Sequence, residues 1–414
     1  MFPTFKKLSF ICFSLCFQWV FAAHADKPQA GDTLPRVFLA DRHMLAKTKA
    51  GYIGGDPFLK PALDKLFSDA KHALEINPRS VMDKHRMPPS GDKHDYVSQA
   101  PYYWRDTNSP DGHYIRRDGE HNPEVNLDSD AGGLAHICSG AQTLALAYYF
   151  SGDEKYATKA AEILRVWFLN PATKMNPNLN FGQGIPDKVD GRPAGLIAAR
   201  GLVDVVDALG LLAGSKSWSV ADQKGMLDWM TQYFQWLTTS KIGVGELKAK
   251  NNHGSFCDGQ AAVIALFLDK TDFARKIIID ARSVRIARQI EPDGRQPFEL
   301  VRTKSFGYSL FNLRALIDLA SIGRNLKLDL WHYSTPDGRS LCRALEFMAP
   351  YASPDKKWPY QQIYEPNRNN LGELMLRAMP EYPGNTNLSG ALKNFPPGNF
   401  STSRSRLLFI TEGN

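Results

Sequence analysis

Cysteine is scarce in this 414-residue sequence, with only five residues. Cys12 and Cys16 fall in a segment with the form of a leader, which leaves Cys138, Cys257 and Cys342 at wide spacing. Three cysteines cannot make a disulfide framework and allow at most one bridge. No C-x-x-C pair and no His-x-x-x-His occurs, so no metal ligands are assigned. Beyond the leader no apolar run is long enough to cross a bilayer. Blocks of one charge are missing too. Lys+Arg 50 against Asp+Glu 43 gives +7, and without Lys6 and Lys7 the balance is 48 against 43, or +5. Such a mild excess, with no nucleic-acid-binding motif, excludes a basic arm for nucleic acid but permits a groove for an acidic polymer. A G-x-S-x-G elbow is also absent, which argues against serine-hydrolase chemistry.

What is present begins with Lys6-Lys7, an apolar run to Ala23 and the exit Ala23-His24-Ala25. These are the parts of a secretory signal peptide over residues 1–25, so export to the periplasm or medium is expected. The remaining 26–414 reads as a single domain with 43% hydrophobic residues overall, enough for a large core. Apolar residues recur at three- and four-residue spacing over 57–74, 131–150, 154–168, 194–212, 221–237, 254–268, 273–288, 308–323 and 339–349. The pattern predicts an all-α fold of helical hairpins, either a solenoid or a closed (α/α) toroid. Segments 88–126 and 170–193 interrupt it as long polar loops of the kind that serve as lids, and 380–402 reads as irregular.

Three segments could carry chemistry. The first places Tyr102, Tyr103 and Trp104 side by side, followed by Arg116 and Arg117. Aromatic faces and guanidinium forks suit sugar rings bearing carboxylates, although the same rings could simply pin a loop. The second is Asn251-Asn252-His253-Gly254 at a predicted helix start, where donors and the helix dipole favour a carboxylate; helix capping by Asn is the plainer alternative. In the third, Arg302 precedes Tyr308 at the mouth of the next helix. A cation beside a phenol lowers its pKa and makes it a usable proton-transfer group. The plainer alternative there is an Arg302–Glu299 pair that ties the loop.

Together "YIRRDGEHNPE", "NNHG" and "DGRQPFELVRTKSFGYSLFNL" resemble the alginate lyase superfamily of (α/α)-toroid polysaccharide lyases, in order and over about residues 88–319. The likeness is greatest to polysaccharide lyase family 38, which acts on alginate or glucuronan, and is more distant to family 5. It implies an incomplete barrel of helical hairpins with long lid loops. It also implies that Asn252 and His253 meet the uronate carboxylate, that Arg302 assists, and that Tyr308 is the catalytic base and acid. Tyr102, Tyr103, Trp104, Arg116, Arg117, Asn251 and Glu299 are then candidates for substrate contact. Gly254-Ser255-Phe256 and the Arg-to-Tyr spacing depart from the family 5 pattern.

The chemistry would be β-elimination. The C5 proton of a 4-linked uronate becomes removable once its carboxylate is neutralised, because the charge spreads into that group. In mannuronate and glucuronate the C5 hydrogen and C4 oxygen share one ring face, so one tyrosine can serve both; in guluronate they do not. A lone tyrosine therefore predicts mannuronate or glucuronate preference, with no cofactor required. Two other classes remain. An inverting glycoside hydrolase on the same toroid needs two carboxylates about 6.5–9.5 Å apart, for which Asp128 with Asp130 or Asp187 with Asp190 are candidates. A non-catalytic glycan-binding protein would need the aromatic loop but not Tyr308.

Overall fold

The computed structural model describes residues 34–126 and 129–409; the leader expected over 1–25 lies outside them, as does Asp128. Helices dominate: α1 Arg42–Gly54, α2 Lys60–Ala73, α3 Asp130–Ser151, α4 Glu154–Leu164, α5 Leu202–Leu211, α6 Val220–Thr239, α7 Lys241–Leu247 and α8 Asn252–Phe267. There follow α9 Thr271–Ala281, α10 Ala287–Gln289, α11 Pro297–Leu300, α12 Ser305–Asn325, α13 Leu341–Met348, α14 Arg368–Ala378, α15 Thr386–Leu392 and α16 Ser405–Leu408. Local chemistry sets the ends. Gly152 closes α3 in the left-handed conformation at φ 71°, and the Asp153 carboxylate then accepts the Lys155 N–H to start α4.

The helices form two layers of an all-α toroid. On the inner wall α3 packs against α5, α5 against α8, α8 against α12 and α12 against α14, while α2, α4 and α9 back them from outside. Buriedness follows this layering. α8 is buried at every residue from Gly254 to Phe267, whereas outer α9 buries only Ala274, Ile278 and Ala281. The ring closes where α16 meets α1 and α2. The described residues make one compact unit.

Several expectations need correction. The predicted helix over 194–212 begins as the 3-10 stretch Pro193–Gly201, because Gly195 lies against the Gly182 backbone where no Cβ fits. The helix expected to stop at Gly323 runs on to Asn325. Segment 88–126 holds a hairpin, β2 Tyr103–Arg105 antiparallel to β3 Tyr114–Arg116. It also holds β1 Val97–Gln99, which pairs in parallel with β4 Phe181–Gly184 of the other long loop. Segment 380–402 contains α15, capped by the Asn385 carboxamide. Cys138, Cys257 and Cys342 are all unpaired. Among the described residues no helix is long and apolar enough to cross a membrane.

Candidate functional site

α8 and α12 run in the same direction along the inner wall, with Ser255 beside Asn312 and Gly259 beside Ile322. The Phe256 and Phe311 rings lie 4.3 Å apart between centroids. Three residues nearer the start of each helix stand His253 and Tyr308, so helical spacing brings these two to one end of the wall. A buried polar network fixes the register. Asn312 Nδ2 donates to Gln289 Oε1 at 3.0 Å and to Gln296 Oε1 at 2.9 Å, and Gln296 Nε2 donates to the Ser309 carbonyl at 3.1 Å. All three side chains are 0–1% exposed, and satisfied networks at that depth specify one arrangement.

The approach to Asn252 is held from below. Buried Arg285 pairs with Asp258 of α8 at 2.7 Å and donates to the Leu247 and Ala249 carbonyls at 2.7 and 2.5 Å. A Cβ at Gly254 would strike Arg285 and the Ala249 carbonyl, so this close approach requires the glycine of the motif. Capping by Asn is not what the motif does: the Asn251 side chain makes no cap bond, and its carbonyl accepts from Gly254, Ser255 and Gln289.

Glu299 differs from expectation. It is 1% exposed, as is Asn252, and both of its oxygens are engaged by Asn252, so it supports that residue and is not itself a substrate contact. Its two oxygens accept the Asn252 backbone N–H at 2.8 Å and Asn252 Nδ2 at 2.7 Å. Nor does it pair with Arg302 to tie the loop. Burial pushes its carboxyl up against the pull of the Asn252 bonds. Asn252 Oδ1 is buried with no protein partner. His253 Nδ1 donates to Glu246 Oε1 at 2.6 Å. A carboxylate only accepts, so this bond puts the ring proton on Nδ1 and leaves Nε2 open. Glu246 sits seven residues before His253 with nothing in its neighbourhood to mark it, and sequence reasoning missed it.

Arg302 stands between two partners. Its Nη2 donates to Asp118 Oδ1 at 2.7 Å and to the Tyr308 hydroxyl at 2.8 Å, and Nε reaches Asp118 Oδ2 at 3.0 Å. Asp118 also accepts the Thr303 N–H at 3.1 Å, and the Thr303 hydroxyl donates to the Asp118 carbonyl at 2.6 Å. Burial would raise the Asp118 carboxyl, but the bonds from Arg302 and Thr303 outweigh it and hold it well below its ordinary value. Tyr308 donates to the Tyr102 hydroxyl at 2.7 Å.

The phenol does not behave as the adjacent cation alone suggests. Burial first, then Tyr102, push Tyr308 well above the ordinary tyrosine value, and Arg302 pulls the other way without prevailing. Asp118, whose carboxylate already matches the guanidinium, adds a smaller push in the same direction as burial. Asp118, like Tyr102 in its role beside Tyr308, is brought in from a distant loop and carries no local signal beyond its Asp-Gly turn.

The other loop candidates engage one another. Arg116 pairs with Asp118 at 2.6 Å. Arg117 lies 5.3 Å from the Trp104 ring centroid, and Trp104 Nε1 donates to the Glu120 carbonyl at 3.0 Å. Arg192 sits 5.4 Å from the Tyr103 ring centroid. Asn122, 1% exposed, anchors the hairpin through the Tyr103 and Pro101 carbonyls, each at 2.8 Å. Of the carboxylates considered for hydrolysis, Asp130 is buried on Lys84 at 3.0 Å, Asp187 and Asp190 are exposed, and Asp128 lies outside the described residues. Among the described residues no group of three or more His, Cys, Asp or Glu side chains is arranged to hold a metal ion.

A helical toroid with an Asn-His pair, an arginine and a tyrosine gathered at one end of its inner wall has the make-up of an (α/α)-toroid polysaccharide lyase. The family model for alginate lyase matches residues 80–358, more than half of the sequence. The chain belongs to the alginate lyase family. The crystal structure of an alginate lyase from Bacteroides ovatus is 40% identical, with TM-score 0.86, over 92% of this chain and 100% of that one. Alginate lyase A1-III from Sphingomonas species A1 is 16% identical, with TM-score 0.59, over 92% and 98%; at that identity the likeness shows the fold alone. No curated relative matches the chain.

Proposed function

We propose that this protein is an exported lyase that cleaves 4-linked uronate polymers by β-elimination, with the mannuronate stretches of alginate preferred, leaving 4,5-unsaturated ends. The observation that carries the reading is the Tyr308 hydroxyl, held at 2.8 Å by Arg302 and 2.7 Å by Tyr102 at the end of the inner wall where α8 begins with Asn252 and His253. The 40% identical alginate lyase from Bacteroides ovatus supports the same substrate class.

In this reading Asn252, His253 and Arg302 surround the carboxylate of the scissile residue and stabilise the charge that develops there. Tyr308 then removes the C5 proton and returns it to the C4 oxygen as the bond breaks. Tyr308 acts as the phenolate, its proton given up to solvent, and hydrogen bonds from Arg302 Nη2 and the Tyr102 hydroxyl then hold the anionic oxygen. The hairpin that carries Tyr102 covers the bound polymer as a lid, and Tyr103, Trp104 and Arg117 supply its sugar-facing surface.

The test is ultraviolet absorbance of the new double bond, with wild type and Tyr308→Phe on polymannuronate, polyguluronate and glucuronan. A rise on polymannuronate that vanishes in the variant is expected. Equal rates on polyguluronate overturn the single-tyrosine argument, a rise only on glucuronan moves the substrate, and reducing ends without absorbance mean hydrolysis.

A further inference from the structure

The inner helices enclose an axial cavity of about 530 Å3. α3 turns Gly132, Ala135, His136 and Ser139 into it, and α12 contributes Phe311 and Arg314 beyond Tyr308. Arg200, from the 3-10 stretch, lines this cavity and also a neighbouring one of about 680 Å3 that reaches Gln99 and Pro101 below the hairpin. The two spaces therefore meet at Arg200.

Both guanidinium groups are exposed side chains on an inner wall. Arg200 donates to the Ile197 carbonyl at 2.9 Å and lies 5.8 Å from the Phe311 ring centroid. Arg314 reaches Asp318 only at 4.0 Å, and Asp318 is already taken by Arg377 at 2.6 Å. After burial, the charge of Arg314 is the next cause depressing the Arg200 pKa, so the two cations feel each other across the cavity. Asp204, which also lines the cavity, is pushed up to about 6 by burial and already accepts from Gln142 Nε2 at 2.5 Å. Two forks of positive charge facing water, with their counter-charges spent or weakened, suit a planar carboxylate.

We propose that Arg200 and Arg314 form a second carboxylate site that grips a uronate residue removed from the scissile bond. Arg314 lies six residues past Tyr308 on α12, about 9 Å along the helix axis, a spacing that a neighbouring sugar of the same polymer can bridge. The proposal rests on the lyase reading for its substrate, and it makes the enzyme dependent on acidic sugars at two positions instead of one.

The experiment uses Arg200→Gln, Arg314→Gln and the double variant, with Arg→Lys at each site as the conservative control. On polymannuronate each Gln variant should raise KM about tenfold or more with kcat changed far less, and Lys should restore part of the loss. Binding of a mannuronate hexasaccharide to Tyr308→Phe carrying the same substitutions should weaken equally. A hexasaccharide reduced at its carboxyl groups should bind all of them alike. Variants with wild-type melting temperatures that keep KM and hexasaccharide affinity overturn the proposal. Loss of kcat without change in affinity overturns it as well. If wild type yields no unsaturated product, the lyase reading fails, while the binding measurement still decides the carboxylate site.

Discussion

Replacing Asp118 by Asn should make Tyr308 a stronger acid. Arg302 Nη2 lies 2.7 Å from the Asp118 carboxylate and 2.8 Å from the Tyr308 hydroxyl. The two oxygens are thus ~5.5 Å apart at most, where unit charges at an effective dielectric near 20 interact by about 3 kcal/mol. Asp118 keeps 20% of its side chain exposed, so solvent screening reduces this to roughly half, or about one pKa unit. Asn preserves the shape and leaves the guanidinium unmatched. The base must be deprotonated to act, so activity rises with pH toward the phenol pKa and falls as pH drops. The rising limb of kcat/KM should therefore move about one unit lower in Asp118→Asn. The assay is the pH dependence of absorbance change on polymannuronate from pH 6 to 10. A looser hairpin would lower the rate at every pH, whereas a more acidic phenol raises it at every pH below its pKa, so the direction of the change separates the two effects. A folded variant with the limb unmoved would refute the claim that Asp118 holds the phenol up.

Glu246→Gln should lower kcat/KM about 10- to 100-fold, the worth of a charge-assisted bond that sets the His253 tautomer, with the melting temperature nearly unchanged; a change under twofold would remove Glu246 from the site. The Lys84 and Asp130 side chains are 2% and 4% exposed and 3.0 Å apart, and Lys84→Met removes the cation beside the buried Asp130 carboxylate, which still accepts the Val97 N–H at 2.8 Å. It should cost about 3–5 kcal/mol in urea unfolding, whereas Lys84→Met with Asp130→Leu should recover much of that.

How far the sequence could be read depended on the range of each contact. Helices with a continuous apolar face, such as α3 and α6, were legible within two residues at each end. The 3-10 stretch before α5 was not, because its geometry is imposed by the Gly182–Gly195 approach between segments. The hairpin strands have three residues each, too few for alternation to show. In the site, Arg302 and Tyr308 sit six residues apart and their proximity was readable. Tyr102 meets Tyr308 across 206 residues and Asp118 meets Arg302 across 184, and neither spacing leaves a periodic trace. Glu299 shows the opposite case: it was expected at the substrate, but it is buried and both of its oxygens are engaged by Asn252.

The stripe of exposed residues on α3 gives solvent exposure two meanings in this protein. On an outer helix an exposed position borders bulk water, and most substitutions there are silent. Gly132 is equally exposed, yet it borders the hollow of the ring, and a Cβ added there meets nothing within 4 Å. Larger side chains at Gly132, Ala135 and Ser139 would be accepted by the fold and would fill the bore like stoppers of graded size. A surface-redesign scheme that ranks positions by accessibility alone would choose these sites freely and return a stable protein with its bore filled.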